Sequence, residues 1–316
     1  TRGRESDDQR YCGGAIFVDS ASKYVDVEFQ VSLNSHDTLK SKQAFEAHCL
    51  DVGVAPQQYL SDNGSSFTSK DFANHLQAFH QVHRLAGVGA HHHNGIAERS
   101  IRTVLGMART MMLHAAIHWP EMGDMSLWPM AVQHAVYIWN RLPNPNTGLS
   151  PHDIFTKTRW PHSKYQDIHV WGCPTYVLAK AIQDGRKIPR WQPRSDRCSF
   201  MGFSPSHATS VPLVYRPGTG TITPQFHVVF DDWFATVASG SNEIPSADDP
   251  QWRSMLEEAY MLPEDVSHDD PSVPDPVLRR TEAVRDTLAS TPSPLDVPLQ
   301  PQSPSQPPVP QLVPSQ

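Results

Sequence analysis

Proline does most to limit what this chain can fold into, because it is spread so unevenly. Of 29 prolines in 316 residues, 15 fall after residue 235, in stretches such as PSVPDPV and PSQPPVPQLVPSQ. Proline fixes φ and lacks an amide donor, so such stretches sustain neither a helix nor a strand ladder. The same segment is acidic, with 4 basic against 13 acidic residues, a balance of −9; residues 1–235 carry 22 against 20, a balance of +2. It holds too little apolar area to offset the entropy of ordering it. Residues 238–316 are therefore expected to be a disordered tail, relieved by a short helix near 252–262 where Trp252, Leu256 and Tyr260 recur at helical spacing. The formal net charge of −7 is a property of that tail and does not exclude a phosphate-binding surface elsewhere.

The remainder is long enough for one full core and a smaller module. No run of about 18 apolar residues suggests a membrane span, and TRGRESDDQR is no signal peptide, so a soluble, intracellular protein is expected. Cys12, Cys49, Cys173 and Cys198 lie far apart, which suits buried free thiols better than zinc or disulfides. GGAIFV (13–18) and YVDVEF (24–29) read as an antiparallel strand pair. A helix capped by Asp37 runs to about Val52, where Gly53 ends it. A short strand at 57–61 stops at Asp62-Asn63-Gly64; a helix opens at Ser69, and 82–85 forms another strand. After a polar loop (87–95), Asn94 caps a long helix whose inward face is Ala97, Ile101, Val104, Leu105, Ala108 and Met112; a further helix covers 126–140. Short strands between 175 and 230 suggest a small barrel.

Three carboxylates stand at the edges of these elements: Asp19 ends a strand, Asp62 ends another and Glu98 lies in the first turn of a helix. Convergent carboxylates repel one another and need a cation, and hard oxygen donors favour Mg²⁺ or Mn²⁺ over zinc. Two such ions suit phosphoryl transfer. Taken singly, each acid also has an ordinary role: a tight turn at Asp62, a helix-dipole partner with Arg102 at Glu98, a strand exit at Asp19.

Three blocks, FVDSAS around Asp19, LSDNGSSF around Asp62 and NGIAERSIRTV around Glu98, resemble the signatures of the DDE-type retroviral and retrotransposon integrases, with 35 residues between Asp62 and Glu98 as in that family. The form NGIAER is similar to that of copia-type (Ty1/copia) elements, as are WGCPTYVL, PRWQPRSDRCSFMGFS and FHVVFDDWF further along. The resemblance covers about residues 11–236. It implies an α/β, RNase H-like mixed sheet flanked by helices, a polynucleotidyl transferase joining element-end DNA to target DNA, and two Mg²⁺ or Mn²⁺ ions on Asp19, Asp62 and Glu98. It also places Asn94 and Arg99 beside the site, and implies a homo-oligomer acting in the nucleus. Where relatives often carry a Thr-Pro-Gln-Gln-like segment, this chain has Ala90-His91-His92-His93, read as a solvated loop. By the same likeness the chain is expected to be a fragment of a polyprotein, whose zinc module would lie upstream of Thr1, or a degenerate copy.

The expected order is a flexible segment (1–12), a catalytic core (13–142), a connector (143–170), a small β-rich DNA-binding domain (171–237) and the tail. Residues 176–216 hold Lys180, Arg186, Lys187, Arg190, Arg194, Arg197 and Arg216 against Asp184 and Asp196, seven to two, making this the clearest phosphate-binding stretch. Trp191 within it is expected to be buried, as large aromatics usually are. Arg99, Arg102 and Arg109 offer a second basic face. Two other readings remain: a nuclease of the same class that cleaves without joining, and a DNA-binding fragment without catalysis.

Overall fold

The computed structural model describes residues 3–4, 10–87, 94–208 and 210–237. The Pro-rich tail, the helix expected near 252–262 and the Ala90–His93 loop lie outside them. Within the expected flexible start, β1 (Gly3–Arg4) pairs antiparallel with β2 (Arg10–Tyr11).

β3 (Gly13–Val18) and β4 (Val25–Gln30) form the antiparallel pair read from their alternation, in register from Gly13↔Gln30 to Val18↔Val25. Helix α1 (Ser35–Asp51) begins earlier than expected: the cap is Asn34, whose Oδ1 accepts from the Asp37 amide at 2.7 Å, so Asp37 sits in the first turn. Asn and Asp cap about equally well, and the chain uses the one that comes first. β5 (Gln58–Ser61) and β6 (Val82–Leu85) are a parallel pair linked by α2 (Lys70–Ala78), which Ser69 caps. One continuous mixed sheet does not form among the described residues. β3–β4 and β5–β6 are separate ladders, and α1 bridges them: Phe45 stacks on Phe17 of β3 at 4.5 Å, while Glu46 accepts from Tyr59 of β5 at 2.8 Å.

Helix α3 (Gly95–His118) buries Val104, Ala108, Met112, Ala115 and Ala116, as a 3.6-residue period requires; Leu105 is exposed. Asn94 occupies the cap position without a side-chain cap bond. Helix α4 (Trp128–Arg141) follows, with Pro129 in its first turn. Its buried Asn140 bonds both the N–H and the C=O of Val25 (2.9 and 2.7 Å), completing backbone pairing that no strand supplies. The expected connector contains α5 (Pro151–Thr156), closed by a capping box between Ser150 and Asp153. Phe155 of α5 stacks on Tyr24 at 4.3 Å.

Beyond it lie β7 (Pro174–Leu178), α6 (Lys180–Gln183), β8 (Ser195–Phe203), β9 (Pro212–Arg216), β10 (Thr221–Pro224) and β11 (Val228–Phe230). The five strands make one antiparallel sheet ordered β10-β9-β8-β7-β11. This corrects the barrel: among the described residues β10 and β11 are edge strands and do not pair. Trp171, Phe200, Met201 and Tyr215 belong to the same buried cluster as Val104, Ala115, Ala131 and Ala135 of α3 and α4. Cys49, Cys173 and Cys198 are buried free thiols, whereas Cys12 is exposed. Among the described residues no helix is long and apolar enough to cross a membrane.

Candidate active site

Asp19 leaves β3 in a turn that its own side chain organises. Its Oδ2 accepts from the Ser22 amide (2.7 Å) and hydroxyl (2.6 Å), and its backbone closes the turn through Asp19 N–H to Tyr24 O and Lys23 N–H to Asp19 O, both 2.9 Å. Asp62 follows β5 directly and is exposed; its Oδ1 accepts from the Gly64 amide at 3.1 Å, an Asx turn. The neighbouring Asn63 amide donates to Ala86 O at 2.8 Å, tying this turn to the end of β6. Glu98, also exposed, stands in the first turn of α3.

Asp19 and Asp62 thus occupy the C-terminal ends of β3 and β5, and Glu98 a helix start, as the sequence indicates. Among the described residues the only hydrogen bonds to Asp19 and Asp62 side chains use one oxygen each, and Glu98 accepts none. The set therefore offers four uncommitted hard oxygens, which suits Mg²⁺ or Mn²⁺ chemically. The expected gathering is not formed: among the described residues no three His, Cys, Asp or Glu side chains stand close enough together to hold a metal ion.

On β4, Asp26 and Glu28 share a face. Burial, with Asp26 next in effect, pushes the Glu28 carboxyl up to about 7. His48 Nδ1 lies 3.0 Å from Asp26 Oδ2, and that bond raises the imidazole above its ordinary value.

Arg99 and Arg102 are exposed on α3, Asn94 is half-buried at its start, and Arg109 is half-buried with its Nε unbonded. Lys180, Arg186, Lys187, Arg190, Arg194 and Arg197 are all exposed. Arg197 lies over the buried Trp119 ring (5.5 Å), and Arg216 pairs with Asp196 at 2.9 Å. Trp191 reverses its expectation, being 90% exposed.

Two features escaped the sequence reading. A cavity of about 430 Å³ between α3 and the chain after β11 is lined by Met111, His114, His118, Trp171, Trp233 and Phe234; the i, i+4 spacing of the two histidines was its only sequence signal. The other is the buried Lys42 ammonium, bonded to Glu46, Gln81 and His75.

No family model matches the chain. It is 31% identical over 201 residues to the retrovirus-related Pol polyprotein from transposon RE2 of Arabidopsis thaliana, 61% of this chain and 13% of that protein. It is 28% identical over 200 residues to that from transposon TNT 1-94 of Nicotiana tabacum, 59% of this chain and again 13% of the relative. Among solved structures, the HTLV-2 integrase catalytic core domain in complex with magnesium aligns over 48% of this chain and 89% of its own, with 21% identity and a TM-score of 0.34. A simian T-cell lymphotropic virus intasome in complex with PP2A regulatory subunit B56 gamma aligns over 72% and 74%, with 16% identity and a TM-score of 0.37. The chain spans about an eighth of the first relatives' length, and over that stretch it is a homologue of the Pol polyproteins of copia-type plant transposons.

Proposed function

We propose that this chain is the integrase segment of such a polyprotein: a polynucleotidyl transferase with an RNase H-like core that joins element-end DNA to target DNA, acting as a homo-oligomer in the nucleus. The observation that carries the reading is the placement of Asp19, Asp62 and Glu98 at three element ends with oxygens uncommitted. Brought together, these residues would hold the metal, two ions of Mg²⁺ or Mn²⁺ in the full reading. A divalent cation bound there supplies Lewis-acid stabilisation of the charge developing on the phosphate and the leaving oxygen. Arg99 follows Glu98 directly and Arg102 lies one turn further along α3, where guanidinium groups contact phosphates and fix the DNA without reading its sequence. The exposed cations of 180–197 extend that contact along the duplex.

The test replaces Asp62 with Asn, which keeps the size and the turn-forming oxygen and removes the charge. Joining of a labelled element-end duplex to target DNA with Mg²⁺ should fall to background with the melting temperature unchanged, and a Mn²⁺ titration should show weakened binding. Full strand transfer by Asp62→Asn would end the proposal. A second reading, a DNA-binding relative without catalysis, is favoured by the carboxylates' not standing as a group. It predicts DNA binding by the unaltered chain, no metal-dependent product and no Mn²⁺ site to lose. Cleavage without joining would mark a nuclease.

A further inference from the structure

We propose that Trp191 is a stacking platform for an unpaired nucleobase, so that the basic face of this chain discriminates DNA carrying a single-stranded end from fully paired duplex. The proposal rests on the reading that the chain handles DNA, and deepens it by naming the form of DNA.

Trp191 sits on an excursion between β7 and β8 that is closed at its base by Ala179 N–H donating to Arg194 O at 2.8 Å. Inside the loop, Arg186 N–H bonds Ala181 O (2.8 Å) and Gln192 N–H bonds Pro189 O (3.1 Å), so the tip Pro189-Arg190-Trp191-Gln192-Pro193 is a turn with a proline at each end. Two fixed φ angles and a closing hydrogen bond hold the indole outward at small entropic cost. The ring is 90% exposed, which forgoes the burial that a tryptophan normally gains.

Charge says what the ring meets. The Arg190 guanidinium lies 5.6 Å from the ring centre. Arg186, Lys187, Arg190 and Arg194 are exposed and make no ion pair among the described residues; the loop's sole acid is Asp184. A flat aromatic face amid unneutralised cations matches a strand that presents bases and phosphates together. Trp233 supplies the contrast. It is equally exposed, but it follows Asp231 and Asp232, whose carboxylates repel phosphate.

Within a duplex both faces of every base are covered by stacked neighbours, so a side chain that approaches from outside can stack only where a base is unpaired or terminal. Cations alone would bind paired and unpaired DNA with little distinction, through phosphates. The ring is the part that distinguishes them.

The experiment measures fluorescence anisotropy of labelled DNA with the full chain in EDTA, so that no turnover intervenes, comparing a blunt duplex with the same duplex bearing a single-stranded overhang. Trp191→Ala should weaken binding to the overhang substrate about five- to a hundredfold and binding to the blunt duplex, which offers only the outer faces of its two end pairs, far less. Trp191→Phe should recover most of the loss. Arg190→Ala should weaken both substrates and lower the salt slope. Equal effects of Trp191→Ala on both DNAs, no effect on the overhang, or no binding of either DNA by the unaltered chain would overturn the proposal. Overhang preference that persists in a protein unable to join DNA would end the transferase reading and leave this one standing.

Discussion

Replacing Lys42 with Met tests how the strand that carries Asp62 is held. The Lys42 side chain is 0% exposed, and its ammonium spends all three donors: on Glu46 Oε1 at 2.6 Å, on Gln81 Oε1 at 2.8 Å and on His75 Nδ1 at 3.0 Å. Burial holds the His75 imidazole below its ordinary value, so Nδ1 is free to accept. Glu46 also takes the Tyr59 hydroxyl (2.8 Å) and the Gln81 amide (2.5 Å). Burial alone would raise its carboxyl, but these donors outweigh it and hold the group below its usual range. Methionine keeps most of the volume and removes the charge. It leaves a carboxylate that is 13% exposed with only neutral donors, at a cost of about 3–5 kcal/mol. That is a large share of the ~5–15 kcal/mol that stabilises a typical domain. Adding Glu46→Gln removes the stranded charge and should return most of the loss, with a coupling energy of about 1–3 kcal/mol. Urea unfolding followed by tryptophan fluorescence and circular dichroism gives the midpoints. A loss under about 1 kcal/mol for Lys42→Met, or strictly additive single variants, would refute the account.

Two further outcomes follow from the geometry. Gly172 has φ +80°, and a Cβ there would stand 2.4 Å from Ala115 Cβ on α3, so Gly172→Ala should cost about 2–4 kcal/mol from the backbone conformation and overpacking together; Ala115→Gly in the same chain should return only the packing part, read as a partial recovery of the melting temperature. The Glu28 carboxyl is raised from 4.5 to about 7, so the folded chain holds its proton more tightly than the unfolded one and stability falls as pH rises through that window. His48, raised by Asp26, adds stability that is present below 6.5 and lost as pH rises through its folded value, the same direction. Melting temperature should therefore decline from mildly acidic to mildly basic pH, and Glu28→Gln should flatten the decline; an unchanged slope in that variant would count against the assignment.

The sequence made the local elements legible where side-chain periodicity had a single strong cause. Val25 and Val27 alternate with Asp26 and Glu28, and the β4 ladder follows; Val104, Ala108 and Met112 recur at helical spacing, and all three are buried. The three carboxylates were legible for a related reason, since turn residues and a loop before a helix mark where elements stop. What the sequence did not carry was partnership between elements. Asn140 replaces a strand for Val25 from 115 residues away, and nothing local to either residue announces it. Whether β3–β4 and β5–β6 join in one sheet depends on hydrogen bonds between segments whose own patterns are the same either way. Trp191 was misread because composition favours burial for any tryptophan, while the two flanking prolines that hold it outward act through geometry.

The shared core bears on how Glu98 is placed. Helix α3 has an exposed first turn carrying Glu98 and a second half whose Ala108, Met112, Ala115 and Ala116 lie in the cluster that contains Trp171, Phe200 and Met201. A helix of 24 residues transmits position along its length, because each turn is tied to the next by backbone hydrogen bonds. The orientation of Glu98 is therefore set by α4 and by β3, the strand that ends at Asp19, which pack along α3, while the antiparallel sheet joins the same core chiefly through α4. Gly172 lies at a direct contact with α3: its amide bonds Phe200 O at 2.8 Å, and the lack of a Cβ lets the chain entering β7 close on Ala115. Residues after 170 that read as a separable module thus brace the helix from which the third carboxylate projects.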